Sequence, residues 1–494
     1  MAPLSVLSLR WPQSNPSEAR SATGSPNDDS QPGLVWWMWT LSGGLFFVYT
    51  TLSLRLHARL DTTAFDLSIF EQVVRSYASG HLPIAEINGP DFPALGDHFS
   101  PILAVLAPLY WLWRSPAVLL IAQAALIAAS SLPLMLWARR SLGSGPAVAI
   151  GFCYGTSWGI ASAIGFDFHE VAFAVPLIAS SAAALGNGRL RAAAIWALPL
   201  VLVKEDLGLT VAVIGILIAW RGDRRLGFSV SVIGFGSSLV EMLVVLPLLS
   251  TAGGFGRLKW LQEEGGGGPG GVGNLIHHFT IGVITPEVKV TSLVLVLAPV
   301  LFLCLRSPLM LIALPTFLWR FASSYPGHWG TSYHYSLILM PIVFSAFIDC
   351  LARRNSNKNS IRRYVAGCVG FTLLLIPQFP LWQLFQPAMW KTDPRVLVAH
   401  RLMDQIPDGA TVQATNKLVP QIAGRTGASV FGWTSRPHPQ WILVDTQQSE
   451  RWPLSVDQEQ NLLTTARLTG GYRTVAEENG FVLLKLRGPS SRSK

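Results

Sequence analysis

The chain consists of apolar runs of about 20 residues separated by short connections that carry most of its arginines. In hydrocarbon every backbone N–H and C=O must be satisfied within the protein, so only helices and closed barrels cross a bilayer. Runs of this length fit helices; barrel strands need only about ten alternating residues. The charged fraction of 13% supports the same reading, because soluble domains carry about 25%. The net charge of +9 does not point to nucleic acid: the bases sit in short clusters between apolar runs, where membrane topology places them.

The first run, Leu34–Leu54, opens on Trp36, Trp37 and Trp39, an interfacial aromatic cluster. Pro101–Trp113 is apolar but short and carries Pro108, so it is expected to be re-entrant or interfacial. The remaining crossings are expected at Ala117–Trp137, Pro146–Gly165, Val171–Leu185, Ala192–Val203, Leu207–Trp220, Leu226–Leu249, Thr291–Leu305, Pro308–Phe321, Tyr335–Leu351 and Tyr364–Phe385. That gives about eleven helices. With a cytoplasmic N-terminus, Arg139, Arg140, Arg189, Arg191, Arg221, Arg224, Arg225, Arg306, Arg353, Arg354, Arg362 and Arg363 fall inside. Asp66, Asp97, Asp167, Glu170, Glu205 and Asp206 fall outside. A crossing at Pro101–Trp113 would reverse every later cluster and break the positive-inside rule. An alternative joins Ala192–Trp220 into one helix with Lys204, Glu205 and Asp206 inside it.

Residues 1–33 are rich in Ser, Pro and Asn and read as a disordered cytoplasmic tail, not a cleavable signal. The four cysteines lie in or beside apolar runs and form no CxxC pair. The outer loop 55–116 contains an amphipathic helix at Phe65–Ala78. Thr251–Lys289 carries a glycine core, Gly265–Gly273, that lacks the phosphate-loop pattern and reads as a lid or linker. Residues 34–386 form the transmembrane domain. Residues 387–494 have ordinary charge density and read as a small extracytoplasmic α/β domain. Its helices are expected at Val396–Gln405 and Val456–Thr469, and its strands at Thr411–Ala414, Ser429–Phe431, Trp441–Asp445 and Phe481–Lys485.

Acidic and histidine residues gather at the outer ends of the apolar runs: Asp66 with Glu71, Asp97 with His98, Asp167 with His169 and Glu170, Lys204 with Glu205 and Asp206, and His328 with His334 and Tyr335. Ionisable groups near hydrocarbon face a cavity or a partner, so this pattern predicts one polar pocket open to one membrane face. The plainer readings are that Glu71, Asp91 and Asp61 are caps or solvated charges, that His81, His277 and His278 are satisfied locally, and that Lys204 pairs with Glu205 or Asp206 between helices. No HExxH, GxSxG or Walker A motif is present.

Four stretches, FDLSIFEQ, GDHFSPILAVLAPLYWL, DFHEVAFAVPLI and VKEDLGL, resemble the bacterial membrane-protein family called domain of unknown function 2079. Through it the chain resembles the GT-C superfamily of membrane glycosyltransferases over about Phe65 to Leu351. The resemblance implies an all-α polytopic bundle in the plasma (inner) membrane that transfers a sugar from a polyprenyl-phosphate donor to an extracytoplasmic glycan, lipid or protein acceptor. Asp66 matches the acidic residue of the first outer loop, as base or as ligand of a divalent metal; Leu67 stands where the best-known members pair that acid with a second one. Lys204 or Arg257 would hold the lipid phosphate. Asp167, His169 and Glu170 would bind sugar hydroxyls or metal, Asp97, His98, Glu205 and Asp206 would contact substrate, and His328 and His334 would line the donor side. Two other classes fit the composition: a transporter or lipid flippase, and a non-catalytic scaffold. Charges confined to one face and the lack of an internal repeat favour the enzyme.

Overall fold

The computed structural model describes residues 35–250, 282, 285–323, 325–353, 357–433, 438–448 and 452–487. The N-terminal tail, the Gly265–Gly273 core, Arg257, Lys259, His277 and His278 lie outside the described residues.

The chain forms a helical membrane bundle followed by a small α/β domain. Among the described residues, Ala117–Leu142, Arg224–Leu249 and Lys358–Gln378 are long and apolar enough to cross a bilayer. Ser144–Gly155 and Trp158–Ile164 add a fourth crossing if taken as one span bent by 44°. Other expected crossings form shorter apolar helices, Glu170–Gly186, Leu190–Leu202, Leu207–Trp220 and Pro308–Ala322. The break at residues 203–206 rules out one helix through Lys204, Glu205 and Asp206. The expected Thr291–Leu305 helix ends at Leu297, and the backbone turns left-handed at Leu301 and Phe302. The expected Tyr335–Leu351 helix starts at Leu339 instead, because 335–338 is a turn. Pro101–Leu112 is too short to cross. It lies against the Ile69–Ala78 helix, where Tyr110 Oη donates to Glu71 and Trp111 Nε1 donates to Ala78 O at 2.6 Å. Its outer side exposes Val105, Leu109, Trp111 and Leu112.

The bundle has two chemically distinct ends. The Glu170–Gly186, Leu207–Trp220 and Leu339–Arg353 helices all begin near the acidic and histidine residues. All three finish among arginines. Arg221 Nη2 reaches Gly186 O at 3.5 Å. Arg353 pairs with Asp349 at 2.5 Å and donates to Arg306 O at 3.2 Å. The Leu207–Trp220 and Arg224–Val240 helices pack backbone to backbone. A Cβ on Gly208 would sit 2.4 Å from Gly234 O, and one on Gly227 would sit 2.4 Å from Ala219 N. Small residues at such crossings replace the hydrophobic drive that lipid cannot supply.

The C-terminal sheet has the order β2-β1-β3-β5-β4, with β1 Thr411–Ala414, β2 Gly427–Val430, β3 Trp441–Asp445, β4 Tyr472–Glu478 and β5 Phe481–Leu486. β1 is parallel to both β2 and β3; β5 is antiparallel to β3 and β4. Helices Pro394–Met403 and Val456–Leu468 fall where expected. β4 is an additional strand. Its alternation is hidden because most of its side chains are exposed at the sheet edge.

This domain sits on the acidic end of the bundle. Leu60, Ala64 and Ile87 join its core. Gln72 Nε2 donates to Ala428 O at 3.0 Å, Arg75 Nη1 donates to Ala423 O at 2.5 Å, and Lys417 pairs with Asp61 at 3.3 Å. The 55–116 loop is therefore clamped between membrane bundle and sheet.

Candidate active site

Asp66 lies in a single π-turn, Ala64–Ser68, that leads into the Ile69–Ala78 helix. Such a turn adds a residue to the helical repeat and is frequent at functional sites. Asp66 opens onto a cavity of about 100 Å³ lined also by Phe65, Phe70, Asp97, His98, Ser100 and His169. Burial pushes its carboxyl well above the usual range, Asp167 and Glu170 add to the rise, and Lys204 opposes it. The side chain is still 26% exposed, so water at the cavity mouth moderates that shift.

His169 faces Asp66, with Nε2 4.0 Å from Asp66 Oδ1. Its Nδ1 lies 2.6 Å from Glu170 Oε2, and Glu170 Oε1 lies 2.8 Å from Lys204 Nζ. The Lys204 contact is an ion pair, and the His169 contact brings an imidazole nitrogen against the Glu170 carboxylate. The fully buried Glu170 is thus compensated by Lys204, not left to raise the site's negative charge. Burial, helped by Lys204, lowers the His169 pKa to about 4 against the pull of Glu170. The imidazole is therefore neutral at pH 7. A proton on Nδ1 toward Glu170 leaves the Nε2 lone pair toward Asp66. His334 stacks on His169 with centroids 3.4 Å apart, and burial next to His169 and Lys204 holds it well below the ordinary histidine range.

The other sequence candidates adjoin this core in distinct roles. His98 Nδ1 is 3.0 Å from Glu205 Oε1, and Phe99 N donates to Glu205 Oε2 at 3.1 Å. Glu205 thereby ties the cavity wall to the start of the Leu207–Trp220 helix. Asp206 precedes that helix; burial pushes it up to about 6, with Lys204 opposing and Glu205 adding. Asp167 does not line the cavity and accepts from Thr63 N at 2.9 Å and Thr63 Oγ1 at 2.6 Å. Burial raises it to about 7 despite those bonds. It acts as a latch on the 55–116 loop. His328 does not line the cavity; it is bonded to Ser323 Oγ at 2.7 Å and ringed by Trp319, Tyr325 and Tyr335, and Tyr335 connects it to His334.

Two expectations are corrected. Glu71 is neither cap nor solvated: it is fully buried, held by Tyr110 and 3.8 Å from Arg75. Lys204 makes its close ion pair with Glu170, across a helix boundary, not with its neighbours in sequence.

Two residues passed over in the sequence also shape the site. Gln123, buried in the Ala117–Ala129 helix, accepts from His169 N at 3.0 Å and donates to Asp167 O at 3.1 Å. Glu241 is buried in a second π-turn, Glu241–Val245, and electrostatically faces Glu205 and Asp206. A lone amide or acid inside an apolar run barely changes its hydropathy, which is why neither stood out.

Of the expected metal ligands, Glu170 is committed to His169 and Lys204. Asp66 and His169 remain as two donors 4.0 Å apart. Among the described residues no group of three or more His, Cys, Asp or Glu is arranged to hold a metal ion.

A family described as "Predicted membrane protein (DUF2079)" matches residues 56–483, and the chain belongs to it. No curated protein matches the sequence. Among solved structures the chain is similar to ArnT from Cupriavidus metallidurans bound to undecaprenyl phosphate, at 14% identity and a TM-score of 0.49, covering 92% of this chain and 99% of that one. The apo state of the same protein is similar at 13% identity, with the same coverage and TM-score.

Proposed function

We propose that this membrane protein is a glycosyltransferase of GT-C type, and that it moves a sugar from a polyprenyl-phosphate donor to an acceptor hydroxyl at the extracytoplasmic face of the plasma membrane. The observation that carries this reading is Asp66: an acid whose pKa burial raises, on a π-turn, open to a cavity and faced by a neutral histidine that contacts the Glu170–Lys204 ion pair. The cavity wall at Ser100 continues directly into Pro101–Leu112, whose exposed apolar face offers lipid a way in. A lipid-linked donor suits that junction.

In this mechanism ionised Asp66 takes the proton of the acceptor hydroxyl. The hydroxyl oxygen forms a bond to the anomeric carbon while the bond from that carbon to the phosphate oxygen breaks. The electron pair leaves with the polyprenyl phosphate, and the proton departs from Asp66 to water. The elevated pKa makes Asp66 a stronger base than an ordinary carboxylate. Lys204 keeps the pocket from repelling an anionic donor, and His169 orients the groups around Asp66. No step is routed through a metal ion. With the arginine end in the cytoplasm, as the positive-inside rule favours, the C-terminal domain stands outside.

The test uses the full chain in lipid nanodiscs with a panel of radiolabelled polyprenyl-phosphate sugars. Wild type should release polyprenyl phosphate and label an acceptor; Asp66→Asn should not, while inserting normally. Full activity in that variant removes Asp66 from the chemistry. One observation favours a second reading, a transporter or flippase: Glu241 is buried inside a long span near Glu205 and Asp206. That reading predicts transbilayer movement of a lipid probe that Glu241→Gln stops and Asp66→Asn leaves intact.

A further inference from the structure

The turn that carries Asp66 is held from two directions, and one of them is the C-terminal domain. The first N–H groups of a helix have no partner within it. Thr63, which precedes the Ala64–Ser68 π-turn, makes no capping bond with its side chain. Partners come instead from distant parts of the chain. Ala64 N donates to Asn416 Oδ1 at 2.9 Å and to Asn416 O at 3.1 Å. On the bundle side, Thr63 N and Thr63 Oγ1 both donate to Asp167 Oδ2. Asp66 follows Ala64 by two residues, and His169 follows Asp167 by two. The Thr63–Asp167 bonds therefore join the two segments where Asp66 and His169 line one cavity.

The C-terminal side of this arrangement is firmly built. Asn416 follows β1, and its neighbour Thr415 is pinned to β3: Thr415 N donates to Leu443 O at 3.1 Å, and Asp445 N donates to Thr415 Oγ1 at 3.2 Å. The same segment tracks the chain that leads into the turn. Lys417 pairs with Asp61, and Gln421 Nε2 donates to His57 O at 2.8 Å. On the other flank stands Phe65, which precedes Asp66 and lines its cavity. Its ring packs edge-on against Trp452 and Trp433, with centroids 4.1 and 5.6 Å away. Trp452 is 57% exposed and belongs to no part of the domain's core.

We propose that the C-terminal domain completes the Asp66 site: Asn416 and Trp452 are positioning residues that hold the π-turn so that the Asp66 carboxyl stays in the cavity facing His169. Neither residue lines that cavity, so they act through Ala64 and Phe65 and not on a substrate. Ala64 is itself fully buried, and its N–H needs an acceptor that the helix cannot supply. This inference rests on the glycosyltransferase reading only for the use to which Asp66 is put. Burial raises the Asp66 carboxyl above the usual range. Releasing the turn to water therefore lowers it toward that of an ordinary aspartate.

Two readouts of the full chain in nanodiscs test this without any substrate. One is hydrogen–deuterium exchange of the Thr63–Phe70 peptide. The other is carbodiimide labelling of Asp66 across a pH series, which follows protonation of the carboxyl. Asn416→Ala should speed exchange at Ala64 roughly threefold to tenfold, the net contribution of one hydrogen bond, and move the Asp66 labelling midpoint down by about one pH unit. Trp452→Ala, at an exposed position, should move both readouts the same way, and the double variant further. Asn416→Asp keeps an acceptor for Ala64 N and adds a like charge near Asp66, so exchange should stay at the wild-type rate and the midpoint should not fall. Unchanged exchange of the β3 peptide Trp441–Asp445 shows that the domain remains folded. Faster exchange at Ala64 with an unmoved midpoint makes these contacts merely structural and overturns the positioning role, as does wild-type behaviour in the double variant. Where transfer is measured, kcat should fall in the alanine variants with KM little changed. Absence of transfer in wild type removes the transferase reading alone, because neither readout depends on it.

Discussion

Gln123 offers the sharpest test of how the site is held. It is a single amide in an apolar helix, and it bonds the backbone on both sides of Phe168: His169 N–H to its Oε1 and Asp167 C=O from its Nε2. A third contact, to Ala163 O at 3.4 Å, is too long to count for much. Gln123→Met keeps the side chain's length and removes both bonds. Each buried backbone group left without a partner costs about 1–3 kcal/mol, so the loop holding Asp167, His169 and Glu170 should lose about 2–6 kcal/mol. At about 1.4 kcal/mol per tenfold, a mid-range loss of about 4 kcal/mol corresponds to roughly a thousandfold faster local opening. The assay is hydrogen–deuterium exchange of the Phe166–Val171 peptide in nanodiscs, read beside the thermal denaturation midpoint. His169 amide exchange should rise by about two to three decades, and donor turnover should fall because His169 no longer holds its place beside Asp66. Exchange unchanged from wild type would refute this account and leave the Glu170–Lys204 pair as what fixes the loop.

The ion pair itself can be broken asymmetrically. Lys204→Met leaves the fully buried Glu170 carboxylate uncompensated and should cost about 3–5 kcal/mol, while Glu170→Gln combined with Lys204→Met should recover much of it; equal denaturation midpoints for the two would show the pair is not coupled. Turnover should rise with pH. Asp66 must be ionised to act as base and its pKa is raised, so activity falls as pH drops through that value, and the acid limb should lie above the range of an ordinary aspartate; a limb near pH 4 would contradict the burial that sets it. Gly227→Val drives a side chain into the Ala219 backbone, where a Cβ alone would lie 2.4 Å from Ala219 N, and should lower the yield of folded, monodisperse protein; wild-type yield would mean the two helices separate without cost.

How much of this was readable beforehand follows from what each signal depends on. Charge at the end of an apolar run is a local property. Lys204, Glu170 and Asp66 lie 34 and 104 residues apart along the chain, yet each marks the same end of its own segment, so their gathering at one end of the bundle could be read from patterning alone. Which of them touch could not. Contact depends on how helices that are distant in sequence are rotated about their axes, and hydropathy does not record that rotation. Lys204 shows the difference: two acids follow it directly, but the chain breaks at 203–206, and Nζ reaches back to the acid that opens the Glu170–Gly186 helix. Glu71 shows it in reverse. Its i,i+4 partner Arg75 suggests a solvated pair, and only the docking of Pro101–Leu112, which brings Tyr110 onto it, makes it buried. Helix ends are hidden for a related reason. An apolar run is read as a crossing, but its length as a helix is set by where proline, left-handed backbone or a polar turn stops it, as at Leu301 and Phe302. The end of the bundle at which a charge lies is thus accessible to composition, whereas the geometry of the site is a property of packing, and a residue such as Gln123, which alters composition almost not at all, can hold the whole DFHE loop in place.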